Sequence, residues 1–147
     1  MPRTIRIEST YAAPADAVWA FAKDFTQLAP MSAGSVTFRG LPTDPVVQGQ
    51  VVDFEVKPFY GRAFKPYRVT MAEVNDAARR FVSHEEGAGI KSWRHTLSVL
   101  PEGAGSRQID EIEIDAGLLT PIVAPLARRM YRKRALVRAR LLSGRGA

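Results

Sequence analysis

The C-terminal segment limits what this chain can fold into more than any other stretch. From Leu118 to Leu142 it reads LLTPIVAPLARRMYRKRALVRARLL, which as a helix is long enough to cross a whole small domain. At roughly 100° per residue, Val123, Leu126, Ala127, Met130, Val137 and Leu141 share one face. Thr120 can cap the start, Pro121 suits the first turn, and Pro125 is early enough to be tolerated or to kink the helix. Gly144 is expected to mark the stop. Arg128, Arg129, Arg132, Lys133, Arg138 and Arg140 belong mainly on the other sides. Arg134 breaks the pattern, falling near the centre of the apolar stripe, where a solvated charge is not expected. Two readings stand: the side chain snorkels past its neighbours to water, or it faces a polar-lined cavity under the helix.

The chain before this helix reads as strands. Thr4–Tyr11 alternates as a half-buried strand, and Ala13-Pro14-Ala15-Asp16 then opens a short helix carrying Val18, Trp19, Phe21 and Ala22. Phe25–Met31 is a short irregular helix or loop. Strands follow at Ser35–Arg39, Val51–Lys57, Tyr67–Val74, Arg79–His84, Lys91–Leu100 and Arg107–Ala116. Prolines and glycines punctuate them at Leu41–Gln50, Pro58–Pro66, Glu85–Ile90 and Pro101–Gly105. Phe59, Tyr60 and Phe64, in the second of these, are either exposed at a rim or folded over one. There is no repeat and no linker, so residues 1–147 are expected to form a single α+β domain. Antiparallel strands with one wet face need a cover on the dry face, and the terminal helix supplies it. A curved sheet wrapped around a long helix leaves a hollow, where function is expected.

Charge is distributed unevenly. Eight of the 21 basic residues follow Asp115 and none of the 15 acidic ones does, so a body of 13 basic against 15 acidic residues carries a basic helix. Such a helix can make weak contact with an acidic protein or an anionic lipid surface. With no cysteine, disulfides and thiolate chemistry are excluded. With only His84 and His95, a structural zinc site is not expected either. GAGIKS at 87–92 lacks the full spacing of a phosphate loop, and no dinucleotide fingerprint or nucleophile elbow appears. The helix arginines lack the interleaved aromatics of an RNA reader, so no nucleic acid is expected. No apolar run is long enough to span a membrane, and the start lacks the apolar core of a signal peptide. The expectation is a cytoplasmic monomer or homodimer without metal or cofactor.

His95 and Asp110 are polar residues on otherwise apolar strand faces. If the hairpin pairs Val99 with Ser106, then His95 lies directly opposite Asp110, Trp93 opposite Ile112, and Arg94 beside Glu111 on the outer face. Asp110 would then fix the tautomer of His95 and raise its basicity, with Arg134 above both from the helix. Such a pair serves either structure and ligand orientation or proton transfer. Tyr11, Tyr60, Tyr67, Trp93 and Met130 can line a pocket for a flat or oily ligand, or can be plain core.

Three stretches together resemble a known superfamily: IESTYAAPADAVWAFAKDFTQLAP at the start, WRHTLSVLPEGAGSRQIDEIEID, and the closing YRKRALVRARLL. They are similar to the START/Bet v 1-like (SRPBCC) helix-grip proteins, above all the bacterial polyketide cyclase/dehydrase-like branch. The resemblance implies a curved antiparallel sheet around a long C-terminal helix, with two short helices near the N-terminus. It places Trp93 and His95 on the strand before the last hairpin, Asp110 on the last strand, and Arg134 near the cavity mouth. Joined to the pocket residues Met130, Tyr60 and Tyr67, these give a ligand-binding set of Trp93, His95, Asp110, Met130, Arg134, Tyr60 and Tyr67 around what the resemblance implies is a lipid, quinone or polyketide-like molecule. The alternatives are a cyclase/aromatase-like enzyme with His95 and Asp110 as its acid–base pair, or an adaptor working through the basic helix. Fold does not choose between these.

Overall fold

The computed structural model describes residues 2–145, of which Arg145 is described by its backbone alone. Alternating sequence becomes strand: β1 (Arg3–Tyr11) buries Ile5, Ile7 and Tyr11 and exposes the residues between them. Pro14, extended at φ −67°, precedes α1 (Ala15–Ala22), whose buried residues are Ala15, Val18, Trp19 and Phe21. A 3-10 turn at Phe25–Gln27, capped by the Asp24 carboxylate on the Thr26 N–H, leads into the one-turn helix α2 (Leu28–Met31).

The remaining strands are β2 (Val36–Arg39), β3 (Val51–Pro58), β4 (Lys65–Asn75), β5 (Arg80–Gly87), β6 (Ile90–Glu102) and β7 (Gly105–Asp115). Every pairing is antiparallel, in the order β1-β7-β6-β5-β4-β3-β2. The chain thus crosses from one sheet edge to the other through α1 and α2, then meanders back until β7 pairs with β1. After a 3-10 turn at Gly117–Leu119 it enters α3 (Thr120–Arg145). This is the expected helix-grip α+β fold.

The last hairpin differs from expectation. Glu102 pairs with Gly105 and Val99 with Gln108, so Leu97, not His95, lies opposite Asp110, and Trp93 lies opposite Ile114. Both strands run further into the turn than the sequence suggests, leaving only Gly103 and Ala104 as the connection. The register therefore shifts by two, which keeps every side chain on its expected face. On the outer face Arg94 lies opposite Glu113, while Glu111 receives Arg6 Nη1 at 2.7 Å.

The long helix also departs from expectation. It begins at Thr120, whose hydroxyl accepts from Ala116 N–H and donates to the Gly117 carbonyl, so it closes the preceding 3-10 turn. At the other end Gly144 lies inside the helix, which continues to Arg145. Of the expected stripe, Ala127 is buried, Val123, Met130, Val137 and Leu141 are half-buried against the apolar clusters, and Leu126 is exposed, while Ala124, Tyr131, Arg138 and Leu142 are buried beside it. Small Ala124 and Ala127 let the helix settle on Ile5, Ile7, Ile112 and Ile114, one of two apolar clusters among the described residues. Burying an isoleucine completely contributes roughly 1.5–3 kcal/mol, so this seat anchors α3 firmly on β1 and β7. No helix among the described residues is long and apolar enough to cross a membrane.

Candidate functional site

Because α3 seats at the β1/β7 side of the curled sheet and leans on α2, it leaves the concave face of the other strands uncovered. The result is a cavity of about 640 Å³ between helix and sheet. Its walls are mostly apolar: Phe54 and Val56 from β3, Val69 and Met71 from β4, Phe81 from β5 and Leu97 from β6. Val123, Leu126 and Met130, from the apolar stripe of α3, face this space, and Val123 and Met130 also pack against the cluster under the helix. Phe59 and Tyr60, edge to face with centroids 5.3 Å apart, stand at its rim and are 69% and 68% exposed. Phe64 is folded back instead, its ring 4.1 Å from the Arg39 guanidinium.

Trp93, His95, Met130, Arg134, Tyr60 and Tyr67 all line the cavity. Tyr11 does not; it is buried behind the helix, where its hydroxyl accepts from Arg138 Nη1 at 2.9 Å. Asp110 also lies outside the lining, 2% exposed, directly behind His95. The two-residue register shift turns the expected direct pair into a diagonal one, yet His95 Nε2 lies 2.6 Å from Asp110 Oδ1. The other carboxylate oxygen accepts from Gln108 Nε2 at 2.9 Å. Burial pushes the Asp110 carboxyl up, but the His95 hydrogen bond, the His95 and Arg138 charges and the Gln108 amide outweigh it and hold it below its ordinary value. A carboxylate only accepts, so Nε2 carries a proton, and when the ring holds only that one Nδ1 is the acceptor. The imidazole is gripped edge to face by Phe81 and Tyr131, with centroids 5.5 and 5.3 Å away.

Four polar side chains that sequence reasoning passed over complete the site. Glu85 and Ser83 come from β5, which runs to Gly87 and so carries Phe81, Ser83 and Glu85 along the cavity side. Glu85 accepts from the Tyr67 hydroxyl at 2.9 Å and from the Ser83 hydroxyl at 3.1 Å. Tyr131 accepts from the Trp93 indole N–H at 3.3 Å. Burial, reinforced by the Glu85 charge, drives the Tyr67 and Tyr131 phenols well above their ordinary range, so both stay protonated as donors rather than bases. The fourth is Arg138, expected on an outer face but 5% exposed, bonded to Tyr11 and close enough to Asp110 to stabilise its charge. Arg134 takes the cavity-facing reading: its guanidinium sits 5.2 Å from the Tyr131 ring centroid rather than above His95 and Asp110. Among the described residues no group of three or more acidic, histidine or cysteine side chains is placed to hold a metal ion.

Comparison with known proteins agrees with the fold. The fold matches protein CV1439 from Chromobacterium violaceum with a TM-score of 0.76 at 19% identity, covering 95% of this chain and 96% of that one. It matches TTHA0849 from Thermus thermophilus with a TM-score of 0.74 at 18% identity, covering 99% and 100%. It also matches the Zhui aromatase/cyclase from Streptomyces sp. R1128, with a TM-score of 0.67 at 17% identity over 99% and 93%. At these identities the likeness is one of fold. No curated protein matches the sequence significantly. The model of the family described as polyketide cyclase / dehydrase and lipid transport matches residues 2–141, almost the whole chain, and the chain therefore belongs to that family.

Proposed function

We propose that this protein binds a small hydrophobic or aromatic molecule, of lipid, quinone or polyketide-like chemistry, inside the cavity under α3. The single observation that carries the reading is the cavity itself: about 640 Å³, apolar on most walls, with a few polar groups gathered near α3. That combination suits a ligand held by apolar burial and oriented by sparse polar contacts. Trp93, Met130 and Tyr67 form its flat and flexible walls, Tyr60 guards the rim, and His95 and Arg134 supply polarity. Asp110 acts from behind by fixing His95. A panel of lipids, quinones and aromatic polyketides is expected to contain members that raise the melting temperature. Met130→Trp, which fills space from the helix side, is expected to shift the preference to smaller members. An unchanged melting temperature across the panel contradicts the reading.

The His95–Asp110 pair favours one second reading, a cyclase/aromatase-like enzyme. Nδ1 of a histidine whose Nε2–H is held by a carboxylate is a base, able to take an acidic proton between two carbonyls of a bound chain. The protonated Tyr131 or the Arg134 guanidinium would then stabilise the enolate. The Zhui aromatase/cyclase has the same fold, which makes a poly-β-keto chain the substrate to try first. His95→Ala is expected to lower turnover by about 10²-fold or more; full turnover in a folded His95→Ala protein rules this mechanism out.

A further inference from the structure

The cavity wall is unbalanced in charge. Four cations, Arg129, Lys133, Arg134 and Arg138, line it against two carboxylates, Asp24 and Glu85. Most of these groups are accounted for. Asp24 takes the Thr26 N–H and hydroxyl on one oxygen and the Gln27 amide on the other. Both oxygens of Glu85 accept, from Tyr67 and Ser83. Arg138 is committed to Tyr11 and the Asp110 charge, and Arg129 and Lys133 are exposed on α3.

Arg134 is the exception. Its Nε is sealed from solvent without a hydrogen-bond partner, as is that of Arg138, but unlike Arg138 it makes no hydrogen bond and no ion pair among the described residues. One side of the guanidinium is served by the Tyr131 ring. The side chain is half-buried, with the unmet Nε as its sealed donor, and its planar fork of N–H groups fits a carboxylate with two parallel bonds. Resting on the ligand-binding reading above, we infer that the bound molecule is an apolar acid, with a carboxylate on an aromatic or long-chain body, and that Arg134 receives the carboxylate. The Tyr131 ring contacts both Arg134, at 5.2 Å, and His95, at 5.3 Å, so the acid group docks on the neighbour of the ring that packs on the histidine. The apolar body then extends over Phe81 toward β3 and β4.

Two fluorescent probes that differ only at one end test this: 1-pyrenebutyrate, an acid, and 1-pyrenebutanol, its neutral counterpart. For the native sequence the acid is expected to bind about tenfold tighter, as one charge-assisted contact warrants. Arg134→Met is expected to abolish that preference while leaving affinity for the alcohol within about twofold. Arg134→Lys, which keeps the charge, is expected to retain part of it and serves should the methionine variant not fold. Arg140→Gln, removing an exposed charge elsewhere on α3, is expected to leave the preference intact. Equal affinity for acid and alcohol, or a preference that survives in folded Arg134→Met, overturns the inference. Binding of neither probe to the native protein instead counts against the ligand-binding reading itself.

Discussion

Replacing Asp110 by alanine is expected to destabilise the protein by roughly 3–5 kcal/mol, the range for removing one partner of a buried, hydrogen-bonded charge. Three groups lose their partner at once: His95 Nε2 at 2.6 Å, Gln108 Nε2 at 2.9 Å and the buried Arg138 charge. Gln108 and Arg138 are no more than 5% exposed and cannot turn to bulk water, and Arg138 keeps only its Tyr11 bond. Urea denaturation followed by circular dichroism measures the loss. The pH dependence gives a second signature. The folded-state pKa of Asp110 is depressed, so its stabilisation is present above the unfolded carboxylate value of about 3.9 and is lost as pH falls through the lower folded value. The gap between native sequence and variant is therefore widest near neutrality and narrows below about pH 4. A gap under about 1 kcal/mol at pH 7 would show that water or a rearranged side chain replaces the carboxylate.

Gly105→Ala is the second substitution with a large expected effect, and its cause is backbone crowding rather than charge. A Cβ at this position would stand 2.2 Å from the Tyr11 carbonyl oxygen, a contact with backbone that no rotamer change can relieve. Relief requires β1 to move away from β7 at their shared end. That movement pulls on the Ser106 hydroxyl bond to the Ala13 carbonyl, 2.8 Å long, and on Tyr11, which holds Arg138. A loss of about 3 kcal/mol is expected from such overpacking. Gly144→Ala is the control: it has open space and helical surroundings, and is expected to leave stability unchanged or raise it by up to about 1 kcal/mol. Equal midpoints for the two variants would contradict the crowding argument.

Much of the fold was legible because periodicity is a local property. Ile5 and Ile7 alternate with Arg6 and Glu8, and Trp93, His95, Leu97 and Val99 alternate with polar neighbours; both sets bury the expected face. The hairpin register was less legible, since it depends on how far each strand runs into its turn, here to Glu102 and Gly105. The His95–Asp110 contact survives because a shift of two preserves the face and long side chains reach diagonally.

The parts of the site that were hidden share one physical reason: they depend on tertiary placement. An apolar stripe on a helix ordinarily marks its packing face alone, but here Val123 and Met130 both pack beside the seat of Ala124, Ala127 and Tyr131 and border a cavity. A long arginine such as Arg138 can be buried only where a hydroxyl and a carboxylate wait for it, and those come from Tyr11 and Asp110, far away in the chain. Glu85 looked like part of a glycine-rich connection until β5 was seen to continue through it. The alternation of Phe81, Ser83 and Glu85 was the signal that would have found it.

The most direct test of cavity binding uses the protein's two tryptophans as separate reporters. Trp93 lines the cavity, whereas Trp19 lies outside it with its indole N–H on Asp76 at 2.9 Å. A graded series of bromine-substituted apolar compounds, short-range quenchers that do not absorb at the tryptophan emission wavelength, is titrated into Trp19→Phe and Trp93→Phe proteins. The expected result is saturable quenching of Trp93 by members that fit about 640 Å³, with Trp19 emission unaffected at the same concentrations. Equal, linear quenching of both residues, or no saturable quenching by any member of the series, would contradict the account.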